Sequence, residues 1–206
     1  MPTYVINATN INGLQQAVYI DAAGIGGSIS AWTSQTNATI AWGGVSSRIG
    51  FVNTAGSHKS NEWYVNYEWF GKFDTTSIPS GETVNSVALN MGAGTFYESV
   101  NYYGIDWSDP QPYSGPSSVN STTYYNSSNF SSSLLIAQGN TNTPTSNNNF
   151  NTWIKKGGQT RVVGVSTLFT SNSSPTSSFI SYFSTPTITI VTSAAALLYN
   201  LIVSPR

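Results

Sequence analysis

Charged residues are scarce in this chain. They make up 7% of its 206 residues, whereas about 25% is usual for a soluble domain. An enzyme that transfers protons or binds phosphate needs clustered ionisable groups, so the composition argues against an enzyme and favours a structural component or a binding surface. The net charge is −1 and no basic stripe is present, which excludes nucleic acid as an expected partner.

Cysteine is absent and His58 is the single histidine. Without cysteine the chain forms neither disulfides nor thiolate metal sites. No Gly-x-Ser-x-Gly sequence offers a serine nucleophile to His58, so a catalytic triad is not expected. Asp106 and Asp109 have the oxygen ligands that a hard cation prefers. Turn and capping roles are the favoured interpretation, and we expect no metal and no cofactor.

Long apolar runs are also missing. No apolar stretch reaches the roughly 18 residues that a membrane-spanning helix requires, so no span is expected. Residues 1–7 lack the positive region, the apolar core and the cleavage site of a signal peptide. We therefore expect the protein to be made and used without export.

Alternating aromatic and polar residues are the strongest pattern that is present. In segment 63–74, positions 63, 65, 67, 69 and 73 are apolar, and a period of two is typical of a strand with one buried face. Gly71 falls on that face and indicates a bulge or a close backbone approach. Pro79 and Gly81 predict the turn that follows, with Asp74 capping it.

Further strands are predicted over residues 162–165, 178–183 and 187–192. Many short strands separated by turn residues are typical of an all-β fold, and we predict one antiparallel β-sandwich or jelly roll over residues 1–192. Two regions have weaker patterns. Residues 1–30 indicate only short strands and turns, and residues 114–149 fit either a functional loop or a few poorly patterned strands.

Residues 193–206 form a distinct C-terminal tail. Its apolar part, 193–203, is too short to cross a bilayer. It is either a final strand or helix buried in its own domain, or an arm that adds to a neighbouring subunit. The N-terminal segment 2–20 is a second candidate for assembly. The candidate assembly contacts of the tail are Leu197, Leu198, Tyr199, Leu201, Ile202 and Val203.

Aromatic side chains are the best candidates for a binding function. Their flat faces can stack on sugar rings while neighbouring Asn and Ser side chains form hydrogen bonds. Packing in the core or between subunits is the competing interpretation, and we favour it. The candidate contacts for a glycan or a partner are Tyr102, Tyr103, Trp107 and Tyr113.

Four motifs follow one another between residues 60 and 190. The first, 69–89, combines an aromatic strand, Phe-Asp, a Ser-Ile-Pro-x-Gly turn and a Val-Asn-Ser-Val-Ala-Leu strand. The others are Asp106-Trp107-Ser108, a Trp-Ile-x-x-Gly segment at 153–161, and a Pro-x-Ile-x-Ile strand at 186–190. Together they resemble DNRLRE-type modules, which are β-sandwich domains similar to carbohydrate-binding modules.

This resemblance implies a jelly-roll domain of the kind found in structural proteins of tailed phages and in bacterial surface proteins. We therefore expect a non-enzymatic virion protein, such as a decoration, collar, tail or fibre component. Its partners would be other copies of itself and other virion proteins. Two alternatives stay open, namely a carbohydrate-binding module that recognises a host-surface glycan, and a cell-surface filament subunit joined by strand donation.

Overall fold

The structure is a computed structural model of the chain. It describes residues 1–10, 14–17, 20–21, 39–42, 47–53, 63–67, 69–104, 134–167 and 179–194. The strands are β1 (Thr3–Asn10), β2 (Leu14–Ala17), β3 (Ile20–Asp21), β4 (Thr39–Trp42), β5 (Ser47–Asn53), β6 (Trp63–Tyr67), β7 (Trp69–Asp74), β8 (Thr83–Asn90), β9 (Gly94–Thr95), β10 (Val100–Gly104), β11 (Leu134–Gly139), β12 (Thr145–Ser146), β13 (Gln159–Ser166), β14 (Phe179–Phe183) and β15 (Thr187–Ser193). One short helix, α1 (Asn148–Trp153), lies between β12 and β13.

Most of these strands belong to two antiparallel sheets. The large sheet has eight strands in the order β12-β11-β10-β13-β7-β1-β15-β8. The small sheet has five strands in the order β3-β6-β5-β14-β9, and β2 pairs separately with β4. The predicted all-β class is therefore confirmed. Within the described ranges, no helix is both long enough and apolar enough to cross a membrane.

The large sheet curls until it is nearly barrel-shaped. Its edge strands, β12 and β8, contact one another, and just beyond β8 the Met91 N–H donates to Asn142 O, before β12, at 2.7 Å. Helix α1 lies against β8 and β11, and its Asn151 side chain donates to Asn85 O at 3.0 Å. One curled sheet thus encloses much of the core. The prediction of a β-sandwich does not include this curvature.

The concave face of the large sheet holds the hydrophobic core. On β15, Ile188, Ile190 and Thr192 are buried while the residues between them are half-exposed, which follows the alternation in the sequence. Phe73 from β7 and Phe150 from α1 join the isoleucines in one cluster. Burying each of these large apolar side chains contributes about 2 kcal/mol to folding.

The small sheet covers part of the same concave face. The Phe183 ring on β14 meets the Trp69 ring on β7 edge-on, with 5.8 Å between the ring centroids. Ile49 on β5 lies over Gly164 on β13, where a Cβ would be only 2.7 Å from the isoleucine methyl group. The two sheets therefore share one core, and the missing side chain at Gly164 allows them to approach.

The aromatic segment 63–74 forms two strands and not the single strand that its sequence predicts. β6 belongs to the small sheet and β7 to the large one, so the chain changes sheet between Tyr67 and Trp69. Trp69, Gly71 and Phe73 are all buried, as the alternation predicts. The Trp69 ring lies close against the backbone of Gly71, so that a Cβ at this position would overlap the ring.

The turn between β7 and β8 is built as its sequence predicts. Asp74 Oδ1 accepts hydrogen bonds from the Thr76 N–H at 3.1 Å and from the Thr76 hydroxyl at 2.6 Å. These two bonds lower the pKa of Asp74 because they stabilise the charged carboxylate. The Glu82 N–H then donates to Pro79 O at 3.1 Å, which closes a β-turn before β8 begins.

Two elements differ from the sequence-based expectation. Residues 1–30 predict only short strands and turns, yet β1 is an eight-residue central strand between β7 and β15. In the weakly patterned region, β11 and β12 are short strands and α1 follows them. This helix begins where the Asn147 side chain accepts the Asn149 N–H at 2.9 Å. Such an N-cap is hard to recognise in a chain full of asparagine.

Candidate functional site

A groove opens beside the turn that joins β11 to β12. Its volume is about 470 Å³, within the usual range for small-molecule sites. None of the described residues that line this β11–β12 groove is ionisable. The groove therefore offers amides, hydroxyls and some apolar surface without charge. Its polar lining consists of Ser99, Gln138, Asn140, Thr145 and Asn147, and its apolar lining includes Leu135 and Ala137.

Two asparagines fix one wall of the groove. The side-chain amides of Asn147 and Asn149 both donate to Leu135 O, at 2.9 and 3.1 Å, and this ties the start of α1 to β11. Gln138 and Asn140 differ from them, because both are exposed and neither side chain hydrogen-bonds to another described residue. Their amides are therefore available to a ligand.

Glu98 lies next to the groove residue Ser99 and two positions before β10. Its side chain is half-buried, and the Ser166 hydroxyl on β13 donates to Oε2 at 2.6 Å. The other oxygen, Oε1, is buried and has no hydrogen-bond partner. Burial raises the pKa of Glu98 to about 7, and the hydrogen bond from Ser166 opposes part of that rise.

Two more buried polar atoms lack a partner in the same half of the core. They are Trp69 Nε1 and Tyr102 Oη, on strands that flank β13 and pair with it at Gly164. The two rings meet edge-on with 6.5 Å between their centroids. Burial raises the pKa of the Tyr102 hydroxyl, so this phenol stays neutral and does not supply a charge to the core.

Glu82 shows the opposite arrangement. The Tyr4 hydroxyl donates to its carboxylate at 3.2 Å, and the Thr192 hydroxyl donates to the same carboxylate. The Lys156 ammonium group donates to the Glu82 backbone carbonyl. Partial burial and the neighbouring Glu82 raise the pKa of Tyr4. The cluster connects β1, β15 and two turns, so Glu82 holds elements of the fold together.

The structure places the predicted glycan contacts of β10 in the interior. Tyr102 is 0% exposed and packs against Trp69. Tyr103 is 7% exposed, and its hydroxyl accepts a hydrogen bond from the Asn101 amide at 3.1 Å. Neither ring forms a surface on which a sugar could stack, which corrects that expectation for these two residues. Trp107 and Tyr113 lie outside the described residues.

The other candidates from the sequence are placed as follows. The six assembly contacts of the tail, between positions 197 and 203, lie outside the described residues. So do His58, Asp106 and Asp109. In the part of the chain that the structure describes, no three His, Cys, Asp or Glu side chains come together as a possible metal site.

Sequence reasoning does not distinguish Glu98 from the other carboxylates and does not predict the groove. The sequence does contain a signal for the burial of Glu98. Glu98, Val100 and Tyr102 are spaced two residues apart, and Val100 and Tyr102 are buried. Alternation then places the carboxyl group toward the core. The groove has no comparable signal, since its wall depends on the helix cap at Asn147.

A scan against protein-family models finds no match, and neither a search of curated proteins nor a search of solved structures finds one. The resemblance to DNRLRE-type modules therefore depends on the four sequence motifs alone.

Proposed function

We propose that this protein is a structural subunit of a tailed-phage virion that works by packing against copies of itself and other virion proteins. The observation that carries the proposal is where its two candidate assembly segments start. The Thr192 N–H donates to Pro2 O at 3.0 Å. The N-terminal segment and the place where the apolar tail continues from β15 therefore lie side by side.

An uncharged surface adjoins this place. The outward residues of β1 are Thr3, Val5 and Asn7, and the residues opposite them on β15 are Val191, Thr189 and Thr187. We call these six residues the neutral face. Val5 at its centre is 68% exposed. Neutral surfaces of this kind associate without the cost of removing water from charges.

Two charged residues beside these segments serve internal contacts. The Glu82 carboxylate accepts hydrogen bonds from Tyr4 and Thr192, and the Lys156 ammonium donates to the Glu82 backbone carbonyl. Such use of charge suits a subunit that acts through its shape. The four motifs that resemble phage and bacterial surface modules support the assignment to a virion, with the bacterial cell surface as the alternative location.

The test removes residues 195–206 and, separately, changes the neutral face by Val5→Lys. Light scattering coupled to size exclusion measures the mass of each form. We expect the full chain to form a discrete assembly and both variants to shift toward monomers. Thr95→Lys, an exposed substitution on β9, should assemble normally.

A full chain that stays monomeric at high concentration, or two variants that assemble as well as the parent, would contradict the proposal. Open-ended fibres in place of a closed oligomer would favour the filament alternative, because a head-to-tail contact that does not close generates fibres.

A second candidate function is recognition of a neutral glycan, and the β11–β12 groove favours it. Uncharged amides and hydroxyls beside Leu135 and Ala137 match the alternating polar and apolar faces of a sugar ring. Titration with uncharged oligosaccharides, followed by NMR, should shift groove resonances. Gln138→Ala should abolish binding and the matched substitution Gln159→Ala should not. Equal loss in both variants, or no shift with any neutral sugar, excludes this function.

A further inference from the structure

Glu98 sits in a segment that connects the two sheets. Residues 94–100 begin in β9 of the small sheet and end in β10 of the large sheet. The two ends of the segment are paired in their strands. Between them, the Tyr97 N–H donates to Ser181 Oγ at 3.2 Å, and Ser99 O accepts the Thr167 N–H at 3.0 Å. The Glu98 side chain adds a connection to Ser166.

We propose that Glu98 and Ser166 form a pH-sensitive latch, which holds segment 94–100 between the two sheets while Glu98 is protonated and releases it when Glu98 ionises. The protonated carboxyl group is neutral, so enclosing Oε1 costs little. Loss of the proton to solvent leaves a buried negative charge with one hydrogen bond, from Ser166, and a second oxygen without any. Exposure of the segment to water then relieves that cost.

Among the residues that the structure describes, no cation is shown next to the Glu98 carboxyl group. β13 contributes the hydroxyl of Ser166, and β14 contributes Ser181 and the phenol of Tyr182, which is 43% exposed. On the segment itself the titratable neighbour is Tyr97, whose side chain is 64% exposed. The described cationic position on this sheet is Arg48, which lies opposite Tyr182 in the β5–β14 register.

The latch also affects the β11–β12 groove. Ser99, which lines the groove, follows Glu98 directly, and its carbonyl is one of the anchors of the segment. Release of the segment therefore moves one wall of the groove while the opposite wall, fixed by Asn147 and Asn149 to Leu135, stays in place. The proposal thus gives the protein a response to pH that the packing function does not require.

The experiment measures amide hydrogen exchange of the full chain by NMR, at pH about 5.5 and about 8.5, with intrinsic exchange rates corrected at each pH. The Thr167 N–H reports on the latch. We expect its protection factor to fall by about tenfold or more at the higher pH, since ionisation of a group with a raised pKa couples to opening. In the Glu98→Gln variant the protection factor of the Thr167 N–H should be the same at both pH values.

The Thr75 N–H, which donates to Gly158 O at the other end of β13, is the internal control and should keep its protection. A fall in the protection factor of Thr75 as large as that of Thr167 would indicate global unfolding and would contradict the latch. An equal pH response of Thr167 in Glu98→Gln would also contradict the latch. If that variant does not fold, carboxyl carbon NMR of the parent decides. A Glu98 titration midpoint near 7 supports the proposal, and one below about 5 contradicts it.

Discussion

The two ends of the large sheet differ in whether their buried polar atoms have hydrogen-bond partners. At one end, residues 75–82 and 155–160 form what we call the turn end. Its buried Thr75 hydroxyl lies 2.8 Å from Lys155 O and 3.1 Å from the Thr160 hydroxyl. At the other, the Glu98 end, the buried atoms without a hydrogen-bond partner include Glu98 Oε1, Tyr102 Oη and Trp69 Nε1. One end is fully connected and the other is not.

This difference separates stability from response. A buried polar network that is fully connected fixes one arrangement, whereas a partly connected one costs free energy and opens more easily. The turn end joins β1, β7, β8, β13 and β15 into one framework. The Glu98 end carries one of the connections between the sheets and one wall of the groove, so we expect movement to be concentrated there.

The largest effect should come from breaking the turn end. In Thr75→Val, two backbone carbonyls and the Thr160 hydroxyl lose their buried partner, and the free energy of unfolding should fall by about 3 kcal/mol. Urea denaturation measures it. Thr185→Val, at an exposed site, is the control and should change stability by less than about 0.5 kcal/mol. Equal effects of the two substitutions would remove the distinction between the ends.

A smaller effect of opposite sign is expected at the Glu98 end. The folded-state pKa of Glu98 is raised from 4.5 to about 7. The ionised carboxylate therefore destabilises the fold, and this effect is absent below pH about 4, grows as the pH rises between these two pKa values and is complete above the higher one. Glu98→Gln should therefore leave stability unchanged at pH about 4 and increase it by about 2 kcal/mol at pH about 8. Denaturation across this pH range measures the difference, and a loss of stability at pH about 8 would contradict it.

Glu82→Gln is the matched substitution at the turn end. It keeps the shape of the side chain but removes the charge that the Tyr4 and Thr192 hydroxyls bind. Unfolding free energy at pH about 8 should fall by about 1 kcal/mol, the reverse of the Glu98→Gln result. Two glutamate-to-glutamine changes with the same sign would show that the ends do not differ as described.

The smallest effect should be that of Tyr102→Phe. Its hydroxyl is buried without a partner, so removal eliminates a desolvation cost and loses no hydrogen bond. Thermal unfolding should show unchanged or slightly increased stability, within about 1 kcal/mol. Tyr4→Phe, which loses the bond to Glu82, should be destabilising, and a destabilised Tyr102→Phe would reveal a partner for that hydroxyl.

The sequence predicts the turn end better than the Glu98 end, for a physical reason. Asp74, Pro79 and Gly81 act through local turn chemistry, and the alternation around Phe73 is a property of one strand. These features need no knowledge of distant residues. The environment of Glu98 depends on Ser166, which is 68 positions away, and on the register of three strands. Pairing across such distances cannot be derived from one sequence.

β1 illustrates the same limit. Its residues have no strong pattern, yet it occupies the centre of the large sheet because β7 and β15 supply partners on both sides. The four motifs between residues 60 and 190 do not include it, although β15 depends on it. The prediction of Tyr102 as a glycan contact is wrong for a related reason. An aromatic ring on a central strand is more often packed in the core than exposed to a ligand.

The proposed function requires that this protein packs with other copies of itself and with other virion proteins. A reconstruction of the full chain by electron cryomicroscopy tests this directly. We predict a symmetric assembly in which copies meet through the neutral face around Val5 and beside the start of the tail at Ala194. Isolated monomers, or an assembly that leaves both places exposed to solvent, would contradict it.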